Sequence, residues 1–366
     1  MRPRPAKRPT AVDLFCGVGG LSLGLIQAGF DLIGAVDGDQ TVLDAFKTNF
    51  ASVATACQDL TASTGDVLRR ELGIGKRIID LLVGGPPCQG FSVGGVGAKA
   101  DPRNEGILAF ARIVSELRPR YFVMENVRGF LAKKHANRRR KFCKLLAEAG
   151  YAIRVPIRAL NAADYGVPQR RVRVFVIGCA EGEVLPDYPS PNGLERPTVR
   201  DAIGDLSFLD RHCTDYDQAE YDGPLGPASD FATALRQHPS GEMVERLSGC
   251  RRTRHSDPVI ARFKSTKPGD QESISRYYRL AWTGISPTLR AGTGPDHGSH
   301  TAPRPIHPTT ARCITVREAA RLHSLPDWFI FHPSKWHGFR QIGNSVPPYL
   351  ARAVVTKIYD ILANKR

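Results

Sequence analysis

Cys88 stands in the segment Gly84-Gly85-Pro86-Pro87-Cys88-Gln89-Gly90-Phe91-Ser92, directly after the run 78–83. That run is short, branched and apolar, which predicts a buried parallel strand. Two prolines then fix the backbone and remove two N–H donors, so neither strand nor helix continues through Cys88. A thiol held at the carboxyl end of a strand lies where open α/β sheets place their chemistry. A small buried cysteine in a turn is the plain alternative. A further strand-like run, 121–124, leads into Glu125, which in a parallel sheet emerges at the same edge as Cys88. Arg171 and Arg173 alternate with Val172 and Val174, so both guanidinium groups are expected on one face of a strand.

A second constellation lies nearer the amino terminus. Asp13-Leu14-Phe15-Cys16-Gly17-Val18-Gly19-Gly20 follows a strand and opens a helical run. Glycines there let a ligand approach the backbone and the helix N-terminus. The dinucleotide pattern G-x-G-x-x-G is not met, because Ser22 stands where the third glycine belongs. That argues against a nicotinamide dehydrogenase. Asp37 lies about 20 residues on, where a carboxylate can accept from ribose hydroxyls. Asp59 is expected to close the third strand and face an adenine amino group. A nucleoside-containing cofactor is favoured over a glycine turn that serves packing alone.

These residues need a scaffold, and the pattern supplies one. Residues 11 to 180 alternate strand-like runs (11–15, 31–36, 78–83, 121–124 and 172–178) with helical patterns, the mark of a parallel α/β sheet. Ile107, Leu108, Ala111, Val114 and Leu117 recur at helical spacing after Asn104, which is expected as N-cap. From about 181 to 311, proline, glycine and aspartate are frequent and periodicity is weak, which predicts a second, loop-rich domain. Thr315-Val316-Arg317-Glu318 is a capping-box pattern. Leu350, Val354, Ile358 and Ile361 mark an amphipathic last helix after Pro347-Pro348.

Composition bounds the partners. The 366 residues suffice for about two domains, and 42% hydrophobic with 24% charged residues describe a globular protein. A net charge of +15 favours a polyanion, most simply nucleic acid, over a merely solubilising surface. Eight cysteines include no C-x-x-C pair, and the two nearest, Cys57 and Cys88, are 31 positions apart. This speaks against a zinc cluster and a disulfide scaffold, and for a reduced, intracellular compartment. No run reaches the ~20 apolar residues of a membrane span. The start, 1–9, lacks the apolar core of a secretory signal and reads as a disordered basic arm within reach of phosphates.

Five blocks carry a resemblance: DLFCGVGG at 13–20, GGPPCQGFS at 84–92, MENV at 124–127, QRRVRV at 169–174 and GNSVPP at 343–348. In this order they resemble the cytosine-C5 DNA methyltransferases of bacterial restriction–modification systems. The resemblance implies an α/β, Rossmann-like, mostly parallel sheet that binds S-adenosylmethionine, with a smaller loop-rich DNA-recognition domain. It implies a catalytic domain of 1–185 completed by 339–366, and a recognition domain of 186–338. Cys88 would add to C6 of a cytosine flipped out of duplex DNA. Glu125, as a protonated carboxyl kept from water, would donate to N3. Arg171, Arg173 or both would hold the cytosine carbonyl or steady the Cys88 loop.

The same resemblance distributes the remaining roles. S-adenosylmethionine, leaving as S-adenosylhomocysteine, would be held by Asp13, Phe15, Gly17, Gly19, Gly20, Asp37, Gly38, Asp59, Leu60 and Pro87, with Asn344, Ser345 and Val346, and no metal. At Gly38, relatives carry a bulky side chain on the adenine. Stacking here would fall to Phe15, Leu60 or another residue, with weaker affinity. DNA would be met by Gln89, Ser92, Arg103, Asn126, Thr288 and Arg290, with Asn126 also bracing the loop. Gly90, Gly94, Gly95 and Gly97 suit a closing lid. The basic run 138–141, on a helix anchored by Phe142, Leu145 and Leu146, reads as a solvated face. The implied setting is a cytoplasmic monomer on double-stranded DNA, not on a membrane, with a restriction endonuclease at the same site. An RNA cytosine methyltransferase and a non-catalytic DNA-binding relative are the alternatives, and the target sequence is not legible.

Overall fold

A computed structural model describes residues 8–87, 105–191, 193, 195–212, 215–292 and 304–365. The chain divides into two compact units: Met1–Asn161 with Val172–Pro191 and Leu350–Arg366, and Ala162–Arg171 with Asn192–Tyr349. Residues 162–171 and 339–349 thus fall in the second unit, and 186–191 in the first.

Apolar runs near positions 11, 31, 81 and 121 become strands of one sheet in the first unit. They are β1 (Thr10–Leu14), β2 (Asp31–Asp37), β3 (Thr55–Cys57), β4 (Leu81–Gly84) and β5 (Tyr121–Val127), followed by β6 (Tyr151–Ile153), β7 (Arg158–Asn161) and β8 (Val172–Ala180). Their order is β3-β2-β1-β4-β5-β8-β6, with β7 also paired to β8. The first five run parallel, and β8 is antiparallel to β5 and β6. Every residue of β1 and β4 is buried, as strands covered on both faces require. Val12, Leu14, Leu82 and Phe122 share a core with Ile107, Phe110 and Val114. Those last three lie on α4 (Gly106–Leu117), which follows α1 (Gly20–Ala28), α2 (Gln40–Asn49) and α3 (Gly65–Glu71) and precedes α5 (Ala136–Glu148).

Two expectations change here. The strand expected from residue 78 begins at Leu81, and Ile78 is 70% exposed. Asp80 explains the delay: it is buried, accepts from the Thr10 amide at 2.8 Å and pairs with Arg120 at 3.0 Å. A carboxylate tying two strand entrances together cannot also sit in the apolar ladder. The cap of α4 is Glu105, without a side-chain hydrogen bond; Asn104 lies outside the described residues, as does 1–7 of the expected basic arm.

The second unit is rich in loops. Its elements are α6 (Val199–Ile203), α7 (Leu209–His212), β9 (Glu220–Tyr221), α8 (Asp230–Arg236), β10 (Leu247–Ser248), α9 (Asp257–Ser265), α10 (Val316–Leu322) and α11 (Lys335–Asn344). The expected capping box starts α10: Glu318 N donates to Thr315 Oγ1, and Thr315 N donates to the Glu318 carboxylate. Buried charge organises this unit. Arg312 grips Asp210 and Glu318, while Arg321 grips Asp205 and Asp327. Removing one partner of such a pair leaves an uncompensated charge, a cost of about 3–5 kcal/mol. The last helix, α12 (Pro348–Asn364), returns the chain to the first unit, where Tyr359 packs edge-on to Phe30.

Candidate active site at the carboxyl edge of the sheet

Strand order reverses between β1 and β4, and the crevice outside the carboxyl ends of strands at such a point is where open α/β sheets bind ligands. The loops leaving β1, β2, β4 and β5 there carry Phe15–Gly20, Asp37–Gly38, Gly85–Pro87 and Glu125–Asn126. Phe15 has φ 55°, a conformation that strains a bulky residue and that clusters at functional sites. Gly17 and Gly19, at φ 56° and 99°, make the tight turn into α1 without that cost.

Two carboxylates lie under this turn. Asp37 accepts from the amides of Gly17 at 2.9 Å and Asp39 at 3.0 Å; burial raises its pKa. Asp13 is fully buried. Its Oδ2 accepts from Ser22 Oγ at 2.6 Å, while Oδ1 has no hydrogen-bond partner among the described residues. Burial pushes its pKa up to about 7, with Asp37 adding to the rise. An orphaned buried acceptor beside a second carboxylate and an open backbone turn fits a cationic nucleoside such as S-adenosylmethionine. Gly38 leaves room: among the described residues, a Cβ there would meet only the Gln58 carbonyl oxygen, at 3.6 Å. Leu60 is buried, whereas Asp59 is exposed, two residues beyond β3, with its carboxylate on Thr61 N and Oγ1.

Asp13 makes stability depend on pH. Its native pKa is raised, so in the unfolded chain the proton leaves near pH 4, while the native state holds it to about 7. The contribution of Asp13 is therefore fullest below pH 4 and falls by roughly 4 kcal/mol as pH rises to about 7, about 1.4 kcal/mol per pH unit. Asp13→Asn keeps an acceptor for Ser22 and cannot ionise. Thermal melts at pH 5 and pH 8 should show the variant gaining on wild type as pH rises; parallel melting curves would refute this account.

The second half of the edge concerns catalysis. Register pairs Gly84 with Met124, so the proline loop and Glu125 leave adjacent strands together. Arg173 on β8 lies across from Val127 in the ladder, and its Nε is 2.9 Å from Glu125 Oε1. Both side chains are nearly enclosed, at 13% and 11% exposure. Glu125 is thus half of an ion pair, a partner that the reading of a carboxyl kept from water does not include. Its other oxygen lies beside Gly85, where an added Cβ would be 3.4 Å from Oε2. Asn126 is 1% exposed, donates from Nδ2 to Pro86 O at 3.2 Å and accepts from Val127 N at 2.9 Å, which braces the loop.

Arg171 and Arg173 do not share a strand. Arg171 precedes β8, belongs to the second unit and is 1% exposed. It donates to the carbonyls of Leu289, Gly343 and Ser345 at 2.7–2.8 Å, tying the 286–290 loop to the GNSVPP block. That makes it a brace. Two residues that sequence reasoning missed complete the knot. Gln169 donates to the Leu322 carbonyl and accepts from Leu289 N. His323 contacts Gln169 through Nδ1 and the Ser345 carbonyl through Nε2, both at 3.0 Å. No signal in the sequence pairs His323 with positions more than 150 residues earlier. Ser345 and Val346 are buried and Asn344 exposed, while Thr288 donates to the Arg170 carbonyl and Arg290 is exposed. Pro87 is exposed. Cys88, Gln89, Ser92, Arg103 and the lid glycines lie outside the described residues.

An open sheet with a glycine turn after β1, acidic residues at the ends of β1 and β2 and a proline-locked loop after β4 defines a nucleoside-dependent transferase of the methyltransferase class. The chain belongs to the C-5 cytosine-specific DNA methylase family, whose sequence profile matches residues 10–360. It is 50% identical to the Type II methyltransferase M.XorII of Xanthomonas oryzae pv. oryzae, over 98% of this chain and 86% of that protein. It is 32% identical to the Type II methyltransferase M1.HphI of Haemophilus parahaemolyticus, over 97% and 88%. A crystal structure of an E. coli protein described as a DNA modification methyltransferase encoded within a prophage superposes with a TM-score of 0.83 at 34% identity, over 97% of this chain and 99% of that one. Membership makes the protein a DNA cytosine-C5 methyltransferase and implies S-adenosylmethionine and a DNA substrate. Among the described residues, no helix is long and apolar enough to cross a membrane, and no group of three metal-ligating side chains occurs.

Proposed function

We propose that the protein methylates C5 of a cytosine everted from one duplex DNA sequence, through a covalent bond between the Cys88 sulfur and C6. The observation that carries this reading is the Asn126–Pro86 bond beside the Glu125–Arg173 pair. It ties the loop that ends on Cys88 to the strand that presents the acid. Cytosine C5 is a poor nucleophile until C6 is attacked, and a thiolate is suited to that attack. S-adenosylmethionine, when bound, supplies an electrophilic methyl group. Glu125, oriented by Arg173, carries the proton that N3 takes up as the Cys88–C6 bond forms. Loss of the C5 proton after methylation breaks that bond and frees the thiol. Eversion costs a few kcal/mol, offset by phosphate and groove contacts.

Asp13 and Asp37 would hold the cofactor's cationic and ribose groups, with Phe15 and Leu60 for its adenine. Gly38→Met has space, and is expected to tighten S-adenosylmethionine binding by about 1 kcal/mol of added apolar contact, roughly fivefold in Kd by calorimetry. No gain in affinity would remove the adenine from that side of Asp37. In a bacterial cytoplasm the modified site would resist an endonuclease of the same specificity. Bisulfite sequencing of DNA from a methylation-free host expressing the chain tests the whole reading. One recurrent protected sequence supports it, and complete conversion everywhere sinks it.

A further inference from the structure

The stretch from 128 to 148 holds eight lysines and arginines against a single acid, Glu148. It begins one residue after β5, as two 3-10 turns (Arg128–Leu131 and Lys133–His135) that lead into α5. Phe130, Phe142 and Leu146 are fully buried and fix this stretch to the first unit. Arg139 is occupied with the Phe130 carbonyl, Arg140 with Asn137, and Lys144 lies 3.6 Å from Glu148. Arg128, Lys133, Lys134 and Lys141 are exposed and make no ion pair among the described residues. Partial burial lowers the pKa of His135, and Lys134, Arg138 and Arg139 lower it further, a local sign of how densely cations converge there.

A surface built only for solubility mixes both signs of charge. Here one sign prevails, and like charges one helical turn apart, such as Arg140 and Lys144, cost the isolated helix roughly 0.2–0.5 kcal/mol. A polyanion offsets that cost. Because the patch starts at the strand end that presents Glu125, a duplex delivering a base to Glu125 must run its backbone past this edge. We propose that this patch binds the phosphate backbone of duplex DNA flanking the target sequence, outside the base pairs being read. The inference rests on the proposed function, and it revises the reading of 138–141 as a merely solvated face.

The test compares wild type with Lys133→Gln/Lys134→Gln/Lys141→Gln on two duplexes centred on the mapped sequence, about 14 and about 40 base pairs long. Each phosphate contact contributes about −0.9 to the slope of log K against log[salt]. The triple variant should lower the steepness of the long-duplex slope by about 2–3 and weaken that complex roughly 10–100-fold near 0.15 M salt. Affinity for the short duplex, and the rate of its methylation at saturation, should stay as in wild type. An unchanged long-duplex slope overturns the proposal, as does an equal loss on both duplexes, which would move the patch onto the target itself. Failure of both proteins to methylate the short duplex would instead refute the catalytic reading.

Discussion

Cys88→Ser is expected to lower methyl transfer by at least about 10⁴-fold while duplex binding stays within a few-fold of wild type. The reason lies in which sulfur can be a thiolate. Cys16 stands at the same sheet edge and is the competing candidate. It is buried, and burial pushes its thiol well up, with the charges of Asp13 and Asp37 acting in the same direction. A thiol so placed is neither ionised nor reachable. Cys88 comes directly after Pro87, which is exposed, and two successive prolines disfavour strand and helix at that point of the sequence. Serine keeps the shape and loses the soft, ionisable nucleophile. An oligonucleotide carrying 5-fluorocytosine at the mapped position checks the point directly, since fluorine cannot leave C5 as a proton does. With methyl donor present, wild type and Cys16→Ser should form an adduct that survives denaturation, and Cys88→Ser should form none. An adduct mapped to another cysteine would overturn the assignment.

The strands and the placement of the glycine turn were legible because each depends on local pattern. A buried parallel strand needs a run of branched residues whatever its neighbours are, and β1, β2 and β5 begin within a residue of the runs that predict them. What failed to show depends on partners far along the chain. Asp80 looked like part of a strand because its run is apolar; only Thr10 and Arg120, 70 and 40 residues away, explain its burial. The alternation of Arg171 with Arg173 has the period of a strand, but the strand begins between them at Val172. One guanidinium therefore serves three carbonyls, and the other serves a carboxylate. For Asn126 the resemblance implies both bracing the loop and meeting DNA; the carbonyl it braces, that of Pro86, is 40 residues away and is named by no local pattern.

Glu125→Gln should cost about 10²–10⁴-fold in kcat, the usual span for a positioned acid, with a smaller change in KM for DNA. Glutamine preserves the length of the side chain and an oxygen for Arg173, so the loop should stay in place while proton donation to N3 is lost. Arg173 is the harder case, because its Nε lies 2.9 Å from Glu125 Oε1 and two roles follow from one position. It either acts through Glu125, holding the carboxyl in line, or reaches the cytosine carbonyl itself. Removing it alone leaves a nearly enclosed carboxylate without its partner, with a stability cost of about 3–5 kcal/mol. Melting temperatures must therefore accompany the kinetics, and the double variant, which removes both charges, should recover most of that stability. The double-mutant cycle then separates the roles. Acting through Glu125, Arg173→Gln adds less than about tenfold to the loss already caused by Glu125→Gln, an independent effect below about 1.4 kcal/mol. Acting on the base independently, the two losses multiply. The 2.9 Å pairing favours the first outcome, and full multiplication in a double variant that melts like wild type would assign Arg173 to the substrate instead.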